Sequence, residues 1–114
     1  MVSEINPFDL SAWMQAKRPH GQPVLLDVRE PWECERASVA PHGDYRLLAI
    51  PMNEVPRRVA ELDPARPVAC LCHHGARSQR VAIFLAQSGF THVANITGGI
   101  DAWSQQVDGS VPRY

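Results

Sequence analysis

Short runs of mostly apolar residues recur along the chain, separated by longer polar stretches. The runs lie around Ile5 and at residues 24–28, 47–50, 68–71 and 92–97. Dense apolar runs of this length are typical of strands that are buried on both faces of a parallel sheet. The pattern therefore predicts five short strands.

Between these runs, apolar residues recur at helical spacing. The predicted helices carry Leu10, Trp13 and Met14; residues 30–36 after Pro31; Val55, Val59 and Leu62; Val81, Ala82, Phe84 and Leu85; and Ile100, Ala102, Trp103 and Val107. Asp9 or Ser11 is a candidate N-cap for the first of them, and Asn53 for the third. Pro19 and Gly21 are expected to end the first helix, and Gly89 the fourth.

Strands that alternate with helices indicate an α/β domain with a parallel sheet and right-handed crossovers. With 114 residues, the chain is long enough for one domain, 1–114, with a core of its own. Asp27 lies at the carboxyl end of a predicted strand, and Cys72 and Gly98 each follow directly on one. Because such sheets bind ligands outside the carboxyl ends of their strands, these residues are expected to lie at one functional edge.

Cys72 stands where an apolar strand stops and a helix pattern begins, in the stretch VACLCHHGARS. The backbone N–H groups of residues 73–78 and the positive end of the following helix are expected to converge there and to attract anions. Arg77 adds a positive charge five residues after the cysteine. The sequence thus predicts a nucleophilic thiolate in an anion-binding loop.

A metal site at this loop is the less favoured interpretation. Cys70, Cys72, His73 and His74 supply ligand types, but their spacing is not that of a zinc site and adjacent residues point in different directions. We therefore expect no metal. Cys70 is expected to point into the core and Cys34 to be an incidental thiol on a surface helix.

Composition and charge bear on the kinds of partner and on the location that we expect. A net charge of −1, with neither a basic stripe nor an acidic tail, gives no reason to expect binding to nucleic acid or to a membrane surface. The first residues lack the pattern of a secretion leader, and three cysteines without such a leader favour reduced thiols. The expected location is the cytoplasm.

Three ordered motifs resemble the rhodanese family of sulfurtransferases. They are LLDVREPWE at 25–33, the loop Cys72-x-x-Gly75-x-Arg77, and NITGGIDAW at 95–103. The resemblance implies a three-layer α/β/α fold with a central, mainly parallel five-stranded sheet and the cysteine-bearing strand at its centre. Residues 37–46 depart from the family pattern, so the geometry of that loop is left open.

The resemblance also implies an enzyme that moves sulfur from an anionic donor such as thiosulfate, through a Cys72 persulfide, to cyanide or a cellular thiol. A sulfur-accepting protein is a further candidate partner, and no cofactor is implied. The residues expected to bind the donor are His73, His74, Gly75, Ala76, Arg77 and Ser78. For His73 and His74, solvent-facing positions without a role in the reaction are an equal alternative.

Two residues at the end of the second strand, Asp27 and Arg29, are expected to form a supporting structural pair rather than to act directly. Two other functions stay open at this stage. A cysteine-dependent phosphatase or arsenate reductase of related fold has five residues between its cysteine and arginine, whereas this chain has four. A catalytically silent binding module of rhodanese type typically lacks the cysteine, whereas this chain has Cys72.

Overall fold

The computed structural model describes residues 2–114, and its centre is a parallel sheet of five strands. The strands are β1 (Val2–Ile5), β2 (Val24–Asp27), β3 (Arg46–Ala49), β4 (Val68–Leu71) and β5 (Val93–Ile96). Their order across the sheet is β1-β5-β4-β2-β3, and every pairing is parallel. The prediction of a parallel sheet with the cysteine-bearing strand at its centre is confirmed.

Within residues 2–114, four α-helices connect the strands and a fifth follows β5; together they cover both faces of the sheet. They are α1 (Leu10–Lys17), α2 (Pro31–Arg36), α3 (Val55–Arg58), α4 (Ala76–Gln87) and α5 (Gly99–Gln106), with short 3₁₀ turns at Pro7–Asp9, Arg18–His20, Met52–Glu54 and Val59–Glu61. Helices α1 and α5 pack on one face of the sheet, through residues such as Met14 and Ile100. Helices α3 and α4 pack on the other face, through residues such as Val55 and Leu85. The molecule is therefore the predicted three-layer α/β/α sandwich.

Alternation along β4 divides its side chains between the two layers. Ala69 and Leu71 belong to the core beneath α1 and α5, whereas Val68, Cys70 and Cys72 belong to the core beneath α3 and α4. This is the two-residue period of an extended strand that is buried on both sides. Cys72 therefore lies on the α4 side as the chain leaves the sheet.

Several helix starts differ from the expected ones. Neither Asp9 nor Ser11 caps α1 with its side chain, because a 3₁₀ turn at Pro7–Asp9 runs directly into the helix. Asn53 lies within another 3₁₀ turn, and α3 begins only at Val55. An Asn53 cap would need the N–H of the second or third helical residue, and Pro56, which would stand third, has none.

Gly99 allows α5 to start directly against the cysteine loop. A Cβ atom built on Gly99 would lie 2.4 Å from the carbonyl oxygen of Cys72 and 2.5 Å from that of His73, and its φ is +61°. In this position the N–H of Ile100 donates to the carbonyl of Cys72 (2.8 Å), and the N–H of Asp101 donates to that of His73 (3.1 Å). The close approach of α5 thus fixes the backbone on which the thiol is mounted.

Replacement of Gly99 by alanine should push α5 away from this loop. We expect Gly99→Ala to lower the free energy of unfolding in urea by about 2 kcal/mol or more, because overpacking and a left-handed backbone act together. Gly109→Ala is the matched control, since a Cβ there meets nothing within 4 Å. Equal stabilities of the two variants would contradict the close packing of α5 on the loop.

Candidate active site

The thiol of Cys72 lies at the carboxyl end of the central strand and is almost fully buried. Its Sγ accepts a hydrogen bond from the backbone N–H of Gly75 at 3.0 Å, and the Oγ of Ser78 lies 3.2 Å away. Only 1% of the residue is exposed to solvent. Both partners belong to the loop and the first turn of α4, so the sulfur lies where the sequence predicted it.

The loop between Cys72 and α4 turns back on itself through Gly75. This residue has a φ of +107°, and a Cβ atom on it would lie 3.1 Å from the backbone nitrogen of Gly98. Such a conformation favours glycine, and it aims the Gly75 N–H at the sulfur. The two glycine-containing motifs are thus packed against each other.

Helix α4 begins immediately beside the sulfur. Its first N–H groups, at Ala76, Arg77 and Ser78, have no acceptor within the helix, and the aligned peptide dipoles place about half a positive charge at this end. An anionic sulfur, or an anion bound to it, is stabilised there. This electrostatic contribution comes from the backbone and needs no charged side chain.

A chain of polar side chains fixes the orientation of Ser78. Its hydroxyl lies 2.6 Å from the Oδ1 of buried Asn95, whose Nδ2 donates to the Oε1 of Glu4 (2.9 Å) and to the carbonyl of Gly75 (3.2 Å). The carbonyl of Gly75 lies 3.2 Å from the same hydroxyl, and because a hydroxyl has one proton, Ser78 donates to only one of Asn95, Gly75 and the sulfur of Cys72. The sequence analysis missed Asn95 and Glu4; a polar side chain in an otherwise apolar strand was the available signal for Asn95.

The guanidinium of Arg77 is bound by a carboxylate. Its Nη1 and Nη2 lie 2.6 and 2.8 Å from the two oxygens of Glu33, in the parallel geometry that binds arginine most strongly. The sequence predicts a positive charge at Arg77 beside the thiol, with no partner named for it. The charge is present, but Glu33 on α2 neutralises it.

Glu33 itself is buried, and three groups hold it. Besides Arg77, it accepts hydrogen bonds from the hydroxyl of Tyr114 (2.7 Å) and from the backbone N–H of Glu30 (3.1 Å). The hydrogen bonds with Arg77 are the main cause that lowers the pKa of Glu33 to about 2. Burial raises the pKa of Tyr114 to about 12, so its hydroxyl keeps its proton and donates.

The sequence analysis missed Glu33 and Tyr114 as parts of the site. Glu33 stands three residues after Glu30 at the start of α2, a spacing that indicates a helix-capping role rather than an ion pair. Tyr114 lies in the segment after α5, to which the sequence pattern assigns neither a helix nor a strand. Neither position carries a local signal of its partner.

Asp27 and Arg29 form a buried ion pair at the end of β2. The Nη2 and Nε of Arg29 donate to the two carboxylate oxygens of Asp27 at 2.6 and 2.9 Å. The remaining nitrogen of Arg29, Nη1, donates to the carbonyl of Glu33 and to the hydroxyl of Tyr114, both at 3.2 Å. These contacts connect the strand to α2 and to the segment after α5, which is a supporting arrangement.

His73, His74 and Tyr114 form a stack of rings beside the loop. The ring of His73 lies between those of His74 and Tyr114, with centroids 3.9 Å from each. Burial, and then the neighbouring His74, lowers the pKa of His73, which favours the neutral ring. His74 is exposed at the outside of the stack.

The other two cysteines are placed differently from Cys72. Cys70 is fully buried in the core, and burial raises the pKa of its thiol. Cys34, on α2, is half-buried with its Sγ 3.7 Å from the Oδ2 of Asp27, and burial together with that carboxylate raises its pKa. Neither thiol is in an environment that favours a thiolate.

Within residues 2–114, no group of three or more His, Cys, Asp or Glu side chains is arranged to hold a metal ion. In the same part of the chain, no helix has the length and apolar character that crossing a membrane requires. The site consists of a thiol, backbone amides and paired charges.

The family model of the rhodanese-like domain matches residues 9–106. The chain belongs to the rhodanese-like family. Proteins named as sulfurtransferases are among the relatives to which it is similar.

One of these relatives is a protein named "Sulfurtransferase" from Allochromatium vinosum. It is 33% identical over 105 residues, which cover 92% of this chain and 91% of that protein. A protein of Arabidopsis thaliana, "Rhodanese-like/PpiC domain-containing protein 12, chloroplastic", is 38% identical over 113 residues, and the chain spans 38% of its length. The crystal structure of a rhodanese-related protein from Thermoplasma volcanium matches with a TM-score of 0.74 at 28% identity, over 98% of this chain and 99% of that one.

The low pKa of Glu33 predicts how stability depends on pH. In the folded protein this pKa is lowered from 4.5 to about 2, so the ionised carboxylate stabilises the fold above about pH 4.5, and this contribution is lost as the pH falls towards 2. The free energy of unfolding of the wild type, minus that of Glu33→Gln, should be about 1 to 2 kcal/mol smaller at pH 3 than at pH 5. Urea unfolding at both pH values measures it.

The control is Glu35→Gln, an exposed position on the same helix, for which the difference should stay within about 0.5 kcal/mol at both pH values. A pH-independent difference for Glu33→Gln would mean that the ion pair with Arg77 does not stabilise the fold.

Proposed function

We propose that this domain transfers sulfane sulfur from a donor such as thiosulfate to a thiophilic acceptor through a persulfide on Cys72. One observation carries the proposal: the Sγ of Cys72 accepts the N–H of Gly75 at 3.0 Å, directly in front of the first turn of α4. A thiolate at such a position has its negative charge stabilised and keeps its reactivity towards sulfur.

The first half-reaction is an attack of the Cys72 thiolate on the outer sulfur of thiosulfate. A sulfur–sulfur bond forms to Cys72, and the bond between the two sulfur atoms of the donor breaks. Sulfite leaves with the electron pair of that bond, and Cys72 retains the outer sulfur as a persulfide anion. Three negative charges stand on each side of this equation, and no cofactor is needed.

The second half-reaction returns the enzyme to its starting state. The acceptor attacks the outer sulfur of the persulfide, and the Cys72 thiolate leaves; cyanide yields thiocyanate, and a thiol yields a new persulfide. Such a covalent two-step route gives ping-pong kinetics. A small thiol, cyanide or a sulfur-accepting protein can serve as acceptor in this scheme.

The loop backbone supplies most of the stabilisation in this scheme. The N–H groups of Gly75 and of the first turn of α4 would bind the outer sulfur, and Ser78 would donate its hydroxyl proton to sulfur when the thiolate forms. His73 and His74 would border the entrance on one side. The four-residue spacing between Cys72 and Arg77 suits a single sulfur atom better than a tetrahedral phosphate.

Thiosulfate should add one sulfur atom to the protein, and cyanide should remove it. We expect Cys72→Ser to lose both the sulfur adduct and the production of thiocyanate, because its hydroxyl is a far weaker nucleophile. Intact-protein mass spectrometry before and after thiosulfate, followed by peptide mapping, measures the adduct and its position.

Cys34→Ala and Cys70→Ala are the controls, and both should keep the adduct on Cys72. An assay with an aryl phosphate tests the rival phosphatase function. Full thiocyanate production by Cys72→Ser, or faster hydrolysis of the phosphate than transfer of sulfur, would overturn the proposed function.

A further inference from the structure

Two arginines next to the cysteine loop, Arg77 and Arg29, are bound in ion pairs. Arg77 is bound by Glu33 through two bonds, and Arg29 is bound by Asp27 through two more. The ion pairs add no net charge at the loop. The attraction for an anion therefore comes from the N–H of Gly75 and the first turn of α4, which together supply about half a positive charge.

The ion pair of Arg77 resists opening. The carboxylate of Glu33 is 4% exposed and is also held by Tyr114 and by the N–H of Glu30. If Arg77 turned towards a donor, it would leave a buried carboxylate without its counter-charge, which is a costly state. The 32% exposed Arg77 is thus fixed to α2.

Thiosulfate and persulfides differ in the charge they bring to this loop. Thiosulfate carries two negative charges and approaches a thiolate that repels both. The persulfide of a small uncharged thiol carries at most one. A loop that offers only backbone dipoles therefore suits a persulfide with one negative charge better than the thiosulfate dianion.

We propose that Glu33 determines donor specificity: by holding Arg77, it withholds a positive charge from the Cys72 loop and favours persulfide donors of low charge over the thiosulfate dianion. The inference rests on the proposed function and names the substrate class of the same site. Glu33 is a positioning residue here, since it acts through Arg77 and not on the sulfur itself.

The persulfide reaction is balanced without a further reagent. The Cys72 thiolate attacks the outer sulfur of R–S–SH, the bond between the two donor sulfur atoms breaks, and R–S⁻ leaves with its electron pair. Cys72 becomes a persulfide that carries the transferred S–H. One negative charge stands on each side.

Arg77 lies close enough to act on the loop once it is released. It stands in the first turn of α4, one residue before Ser78, whose hydroxyl is 3.2 Å from the sulfur. The hydrogen bonds with Glu33 are the main cause that raises the pKa of Arg77, and the charge of Cys72 contributes in the same direction. A released guanidinium would therefore attract a dianion near the sulfur.

The test compares two donors in the full chain. The second-order rate constants for sulfur loading of Cys72 are measured by intact-protein mass spectrometry with thiosulfate and with the persulfide of 2-mercaptoethanol. In Glu33→Gln, which keeps the shape of the side chain and removes its charge, the ratio of the thiosulfate constant to the persulfide constant should rise by about tenfold or more.

Glu35→Gln is the charge-matched control, because it removes one negative charge from an exposed position on the same helix. It should change the donor ratio by less than about threefold. A ratio that rises equally in Glu33→Gln and Glu35→Gln would mean that overall charge, and not the release of Arg77, is responsible, and it would overturn the inference.

The double variant Glu33→Gln/Arg77→Gln keeps the inference testable if the single variant folds poorly. It replaces the ion pair by two amides, so the donor ratio should stay within about threefold of the wild-type ratio. A tenfold fall of the ratio in this variant would mean that Arg77 already serves thiosulfate in the wild type, contrary to the inference.

The outcomes also separate this inference from the proposed function. Loading of Cys72 by both donors, with a ratio that does not respond to Glu33→Gln, contradicts the role of Glu33 alone. Failure of both donors to load the wild type contradicts the sulfurtransferase proposal, and the inference falls with it.

Discussion

The carboxylate of Glu33 joins three parts of the chain that meet only at the carboxyl edge of the sheet. Through Arg77 it holds the first turn of α4, through Tyr114 it holds the segment after α5, and through the N–H of Glu30 it fixes the start of its own helix. Its burial makes each of these bonds costly to lose. The position of the helix that faces Cys72 therefore depends on an ion pair as well as on the apolar core.

This arrangement separates the two tasks of the site. Backbone groups, the N–H of Gly75 and the start of α4, face the sulfur, and they cannot move without distorting the loop that α5 supports from behind. The charged side chains next to the loop form ion pairs, Arg77 with Glu33 and Arg29 with Asp27, so that their charges cancel. A site of this kind favours charge that develops on one sulfur atom over a donor that arrives with several charges.

Local pattern was sufficient to predict the strands, most of the helices and the position of Cys72, whereas the strand order came from the resemblance to the rhodanese family. The strand β4, the cysteine at its end and the helix pattern from Ala76 lie within one short stretch of sequence, and their order alone places the thiol in front of a helix N-terminus. Asn53 failed as a cap because Pro56 has no N–H and the N–H of Val55 donates to the carbonyl of Met52. Pro56 thus helped to set the start of α3, which the helical spacing of the apolar residues alone did not predict.

The contacts of Glu33 with Arg77 and Tyr114 could not be predicted in the same way. Glu33 and Arg77 are 44 residues apart, and Glu33 and Tyr114 are 81 apart, so their contacts exist only once the sheet has brought their segments together. In the structure Glu30 and Glu33 form a capping box at the start of α2, and nothing near Arg77 in the sequence marks its partner. Consequently the sequence predicted where Arg77 lies, but not that Glu33 neutralises its charge.

A crystal structure of the protein loaded with sulfur would test most directly whether backbone N–H groups bind the sulfur while Arg77 stays in its ion pair with Glu33. The account predicts an outer sulfur on Cys72 within hydrogen-bonding distance of N–H groups from Gly75 to Ser78, with Arg77 still bound to both oxygens of Glu33. A guanidinium of Arg77 that has left Glu33 to bind the outer sulfur would contradict it. So would a sulfur adduct on Cys34 in place of Cys72.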